Sequence, residues 1–353
     1  MKKTTGFKLD NLKQHMEKTE EQWRQRWDLL SGKAKKASDK GLSILNGMVG
    51  DYLEEKGVSI AVQMAFYFNH HAVELNQRSL KTVYPEATGK LCVLVHGLGC
   101  TEGVWELNDN PHTTYATKLA DELGYTPLYV RYNTGLHISH NGQMLAQLMA
   151  ELVSVYPVDV EEIILITHSM GGLVTRSACY YDSQVEGGWS QKVRQLHFIG
   201  SPHLGADLEK FGNVVTNVLN TTPLPYTRFV AEIINMRSAG IKDLRYGYVR
   251  DEDWEGQDPD GLLRNNKDTV PLLEGAEHYV ISGTVHEDSD SIFSQFFGDA
   301  LVRKYSATGQ SKQQQHHLPF LPENHKEFTK ILHIQLAHNE RVYEQLRLWV
   351  GAS

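Results

Sequence analysis

Ile163-Ile164-Leu165-Ile166-Thr167-His168-Ser169-Met170-Gly171-Gly172-Leu173-Val174 joins an apolar, β-branched run to a small-residue turn and then to the start of a helical pattern. A run of that length, closed by a turn, reads as a buried strand. A serine hydroxyl is a poor nucleophile at neutral pH. It becomes useful where geometry exposes it and a neighbouring base takes its proton. A sharp strand-to-helix turn supplies the exposure, and the helix N-terminus offers free N–H groups to a developing oxyanion. Such a turn needs small residues two positions either side of the serine. Gly171 meets this downstream, while Thr167 stands upstream where glycine is usual, so the pattern is T-x-S-x-G. Taken alone, these residues fit equally well a serine that caps a helix after any buried strand.

A second stretch separates the two readings. Leu91-Cys92-Val93-Leu94-Val95-His96-Gly97-Leu98-Gly99 is another buried-strand run that ends in His-Gly-Leu-Gly, about 70 residues upstream. With these two motifs in this order, the chain resembles the α/β-hydrolase superfamily, and within it bacterial triacylglycerol lipases and esterases. More loosely it is similar to lipases of the GPI inositol-deacylase kind. The resemblance runs from about Gly89 to Val350, is closest around Gly97 and Ser169, and is weakest between Asp207 and Glu277.

Composition bounds the alternatives. With 353 residues, 41% of them hydrophobic, the chain can build one large core plus an appendage. Its net charge of −8 is unevenly spread, because residues 1–40 hold 11 Lys and Arg against 6 Asp and Glu. The remainder has 24 basic against 37 acidic residues, an acidic body that argues against nucleic acid as a main partner. The opening Met1-Lys2-Lys3-Thr4-Thr5-Gly6-Phe7-Lys8 is not followed by an apolar run, and no stretch approaches 18 uninterrupted apolar residues. Cys92, Cys100 and Cys179 lack metal-ligand spacing, and Cys92 and Cys179 sit where small core residues belong. The expectation is a reduced, cytoplasmic protein.

Leu12, Met16, Trp23, Trp27 and Leu30 predict an amphipathic helix over about 9–30 with basic flanks. It is expected to pack on the catalytic body or on a second copy of the chain; docking on an anionic membrane surface is the alternative. A basic linker, 31–41, precedes a second helical region over about 42–78. From Lys90 onward, strands (91–95, 126–131, 162–167, 193–199, 278–284) alternate with helices (112–123, 139–155, 170–182, 338–350). That alternation predicts βαβ units and a mostly parallel sheet with helices on both faces. Ser139 or Asn141 is expected to cap the second of these helices. The predicted division is a helical N-terminal extension over 1–84 and an α/β-hydrolase domain over 85–353. Residues 206–277 break the alternation and are expected to form a lid or cap. Tyr305 to Asn324 reads as a surface loop, and no carboxylate or cysteine spacing supports a metal role for His316 and His317.

The resemblance implies a nucleophile, an acid and a base in the chain order Ser, Asp, His. The implied nucleophile is Ser169. Phe297-Gly298-Asp299-Ala300-Leu301-Val302 resembles the G-D-x-L-V segment that carries the lipase acid, which implies Asp299, with Asp288 and Asp290 as alternatives. Arg303 stands where such lipases often have proline. His333, before the closing helix, matches the spacing of the lipase base; His338 is the alternative. The implied oxyanion donors are the backbone N–H groups of Leu98 and Met170. His96 is expected to brace its loop through a ring N–H, and His203, in Ser201-Pro202-His203-Leu204-Gly205, to be structural or pocket-lining. The implied activity is serine carboxylic-ester hydrolysis on a small-molecule or lipid ester, through an acyl-enzyme, with no metal or organic cofactor. Acyl transfer, thioester hydrolysis and a non-catalytic lipid- or partner-binding module remain the rival readings.

Overall fold

The computed structural model describes residues 62–107, 110, 112–206, 238–256, 269–284 and 318–352. The basic helix expected over 9–30, most of the expected lid, the segment bearing Asp288, Asp290 and Asp299, and the pair His316 and His317 lie outside the described residues.

The described strands are β1 (Ala65–Phe68), β2 (His71–Ala72), β3 (Lys90–Val95), β4 (Thr126–Arg131), β5 (Glu162–His168), β6 (Val193–Ile199), β7 (Glu277–Thr284) and β8 (His325–Thr329). They form one sheet in the order β2-β1-β4-β3-β5-β6-β7-β8. From β4 to β8 every pairing is parallel, and β1 runs antiparallel to both β4 and β2. Side chains alternate across a strand, so an apolar run such as β5 feeds two cores at once. Leu91, Val93, Val95, Ile163, Leu165, Leu196 and Phe198 pack to one side. Cys92, Leu94, Ile164, Ile166, Ile199 and Ile281 pack to the other.

The described helices are α1 (Gln77–Val83), α2 (Tyr115–Leu123), α3 (Ile138–Val155), α4 (Met170–Ser183), α5 (Ala239–Tyr246), α6 (Asp251–Trp254) and α7 (Glu340–Gly351). Leu145, Met149 and Leu152 of α3 and Leu173 and Val174 of α4 cover the first face. Leu119 of α2 and Val342 and Leu346 of α7 cover the second. The result is the α/β-hydrolase architecture the resemblance implies: a mostly parallel sheet buried between helical layers.

Three expectations need correction. Residues 65–83 fall within the expected helical extension over 1–84, yet they contribute a hairpin and a helix to the sheet domain. Asn69 and His70, at φ 47° and 64°, form a two-residue loop that pairs Phe68 with His71, a conformation suited to the twist of hairpin strands. The sequence carries Asn-His there instead of the telling Asn-Gly. Strand β8 was not predicted, since His325-Lys326-Glu327-Phe328-Thr329 has one buried side chain and little apolar signal. Neither Ser139 nor Asn141 caps α3. Its N-cap residue is His137, and the Ile138 N–H donates to Asp243 Oδ2 at 2.8 Å, so a carboxylate from α5 serves the helix end.

Candidate active site

Strand β5 ends at His168 and α4 begins at Met170, which leaves Ser169 alone at the corner, with φ 53° and ψ −124°. Few non-glycine residues hold such a backbone, and they cluster where function demands it. The Ser169 N–H donates to the Ile199 carbonyl at the end of β6 (2.9 Å), which fixes the corner against the neighbouring strand. Gly171 is obligatory: a Cβ there would lie 2.4 Å from the Val95 carbonyl oxygen and 2.5 Å from that of His96. Gly171→Ala should therefore drive α4 off β3, cost at least about 2 kcal/mol, and lower the urea midpoint. Thr167, the departure from the usual glycine, is fully buried and its hydroxyl donates to the His197 carbonyl at 3.0 Å. The extra polar atom is thus satisfied by the adjacent strand. The backbone strain carries its own test. Ser169→Gly should be more stable than Ser169→Ala by about 1 kcal/mol, read from their thermal midpoints, because glycine adopts this φ freely.

The His-Gly-Leu-Gly loop lies against that corner, since a Cβ on Gly97 would come 2.9 Å from Ser169 Cβ. His96 donates from Nδ1 to the Gly97 carbonyl at 3.0 Å, as expected of a loop brace. Its ring stacks on Tyr132, whose hydroxyl donates to the His96 carbonyl at 2.8 Å. The Gly99 N–H donates to Thr134 Oγ1 at 3.1 Å. Among the described residues, the N–H groups of Leu98 and Met170 are committed to no protein acceptor. Further out, Arg131 at the end of β4 forms a two-pronged pair with Glu102, which also meets His70 at 3.1 Å. Burial disfavours the charged Glu102 carboxylate, but Arg131 outweighs it and holds the group below its ordinary value.

His333 opens a short 3₁₀ turn, His333–Ala337, that Tyr115 pins: its hydroxyl donates to the Leu336 carbonyl at 2.8 Å and accepts from the Asn339 N–H at 2.6 Å. The imidazole packs on Gly200, the residue after the carbonyl that holds Ser169. A Cβ on Gly200 would meet His333 Cε1 at 2.7 Å and Nδ1 at 2.9 Å. His168 donates from Nε2 to the His333 carbonyl at 3.0 Å, and the two ring centres are 4.8 Å apart. Burial pushes His333 down to about 4 and, aided by the His333 charge, His168 well below its ordinary value; both rings are neutral at pH 7.

The structure thus gathers Ser169, Leu98, Met170 and His333 at the carboxyl ends of β3, β5 and β6, while Asp299 lies outside the described residues. His338 is turned elsewhere, with Nδ1 3.0 Å from the Val104 carbonyl. His203 is buried between Phe198 and Phe320, at 4.7 and 5.1 Å between ring centres, a structural position. Sequence reasoning missed Tyr132, Thr134 and the anchoring role of His168, because each depends on contacts between separate strand ends.

A family model for the PGAP1-like alpha/beta domain matches residues 130–268. No curated protein matches the chain. Among solved structures, the mature Bacillus licheniformis lipase BlEst2 is 17% identical over 74% of this chain and 91% of its own, with a TM-score of 0.47. A thermophilic Thermogutta terrifontis esterase is 15% identical over 75% and 91%, with a TM-score of 0.40. The Pyrococcus furiosus esterase Pf2001 is 16% identical over 76% and 82%, with a TM-score of 0.42. By its sheet order and its strand-to-helix corner at Ser169 the chain has an α/β-hydrolase fold, and its central residues 130–268 are similar to the PGAP1-like alpha/beta domain.

Proposed function

We propose that this protein is a serine carboxylic-ester hydrolase that works through a covalent acyl-enzyme. The observation that carries the reading is Ser169 itself: a serine at positive φ, between a strand end and a helix start, wedged against Gly97 and hydrogen-bonded through its N–H to Ile199, the neighbour of the Gly200 on which His333 packs. Strain of that kind persists only where surrounding structure over-determines it.

In this reading Ser169 Oγ attacks the ester carbonyl carbon while neutral His333 takes the hydroxyl proton, and Asp299 steadies the imidazolium. The carbonyl oxygen becomes an oxyanion and receives the N–H groups of Leu98 and Met170. The intermediate collapses, His333 gives its proton to the departing alkoxide, and the alcohol leaves the acyl-Ser169 ester. Water then attacks that ester with His333 again as base, releasing the carboxylic acid and restoring the serine. Loss of one oxyanion donor typically costs about 2.7–4 kcal/mol of transition-state stabilisation.

Reaction with a fluorophosphonate probe, followed by proteolysis and mass mapping, tests nucleophile and activation together. The expected adduct is on the peptide containing Ser169. A folded protein that stays unlabelled, or carries the label elsewhere, removes the assignment. A series of p-nitrophenyl esters of increasing acyl length then separates esterase from lipase.

A further inference from the structure

At the amino ends of β6 and β7, the end of the sheet away from Ser169, lies a cavity of about 350 Å³. Its polar lining includes Arg176 and Ser183 of α4, Ser190 ahead of β6, His278 at the start of β7 and the solvent-exposed carboxylate of Glu274; Leu196 and Leu273 form its apolar wall. Arg176 is 93% buried, being 7% exposed. Its Nη2 donates to the Val270 carbonyl at 2.6 Å, and its buried Nε–H has no acceptor. Among the described residues no carboxylate lies within ion-pair distance of it: Asp253 favours the charged guanidinium through space but is itself paired with Arg250 at 2.9 Å, and Asp182 receives the Ser190 N–H at 2.7 Å. His278, whose buried Nε2 has no partner, is another of the lining residues.

A guanidinium taken out of water without a counter-charge is expensive, and proteins keep one where something completes it. We propose that this cavity binds a small oxyanion, a carboxylate or phosphate carried on a short apolar body, through the guanidinium of Arg176. The planar fork of arginine suits both head groups. The volume falls in the range of small-molecule sites, and the leucine wall accommodates the apolar part. Burial lowers Arg176 to about 10, and burial with the Arg176 charge lowers His278 to about 4. An anion at the guanidinium would offset the burial penalty of Arg176 and supply the direct charge partner it lacks. This site does not depend on the hydrolase reading.

The test is thermal unfolding of the full chain and of Arg176→Met at fixed ionic strength, with inorganic phosphate, hexanoate, hexyl phosphate or neutral 1-hexanol. The anions should raise the wild-type Tm by about 4 °C or more at saturation, with no effect from hexanol and none in the variant. A shift with phosphate alone assigns the site to the free ion, whereas a need for the hexyl chain assigns it to an amphiphile. Without ligand, Arg176→Met should be at least as stable as the wild type, since a lone buried charge is gone. Should the variant fail to fold, the wild-type Arg176 Nε–H and His278 ring resonances at pH 7 should move saturably with the anion. No anion shift in the wild type, equal shifts in both proteins, or unmoved resonances overturn the proposal.

Discussion

Ser169→Ala should reduce kcat for ester hydrolysis by on the order of 10⁶-fold, the scale on which removal of a triad serine acts elsewhere. The reasoning is local. Alanine at this corner keeps the Met170 and Leu98 N–H groups where they are, so substrate still binds and the carbonyl is still polarised. What disappears is the hydroxyl that forms the acyl intermediate in the proposed mechanism. Residual turnover about 10³-fold above water should survive, and KM should change little. Kinetics on p-nitrophenyl butyrate decide the matter. A variant within tenfold of the wild type would transfer the chemistry to another residue.

Acid should unfold the protein above pH 4, with several protons bound in a single cooperative step. Burial holds His96, His278 and His333 down at about 4, His197 at about 3, and His168 well below its ordinary value. In the unfolded chain each titrates near 6.5. Between those limits the unfolded state binds protons that the folded state refuses, so stability falls as pH drops from 6.5 toward 4 and is insensitive to these groups above 6.5. Each histidine contributes a limiting slope of about 1.4 kcal/mol per pH unit, and five together about 7. Two pH units of that slope, about 14 kcal/mol, reach the upper part of the roughly 5–15 kcal/mol that holds a typical domain together. Urea midpoints at pH 7, 6 and 5 should fall steeply, and loss of activity should coincide with loss of the folded circular dichroism signal. Constant midpoints down to pH 5 would show that these rings are not held neutral. Neutral His333 is also the form a general base requires, so activity should persist until the fold itself gives way.

The inner strands were legible because parallel strands buried on both faces write near-continuous apolar runs: β4 and β6 match their predicted spans of 126–131 and 193–199. The edges were not. Strands β1 and β2 carry mixed or exposed side chains, and their hairpin is closed by Asn69 and His70 with no glycine. At the site, the two local motifs gave Ser169, Leu98 and Met170, since a corner and a loop are each encoded in a few adjacent residues. His333 was read from chain order and spacing. The support for its ring was invisible, because Gly200, His168 and Tyr115 converge on its turn only after the sheet has formed. The tolerance for Thr167 was invisible too, as it depends on a carbonyl of β6.

The hairpin at residues 65–72 redraws where this domain can be cut. Its loop residue His70 reaches Glu102, and Arg131 grips that same carboxylate on the segment that follows the His-Gly-Leu-Gly loop. A truncated version starting at residue 85, the domain boundary expected from the sequence, would strip the outer rail from β4 and leave an acid–base clasp half undone just past the His-Gly-Leu-Gly loop. A cut ahead of Ala65 keeps that scaffolding whole.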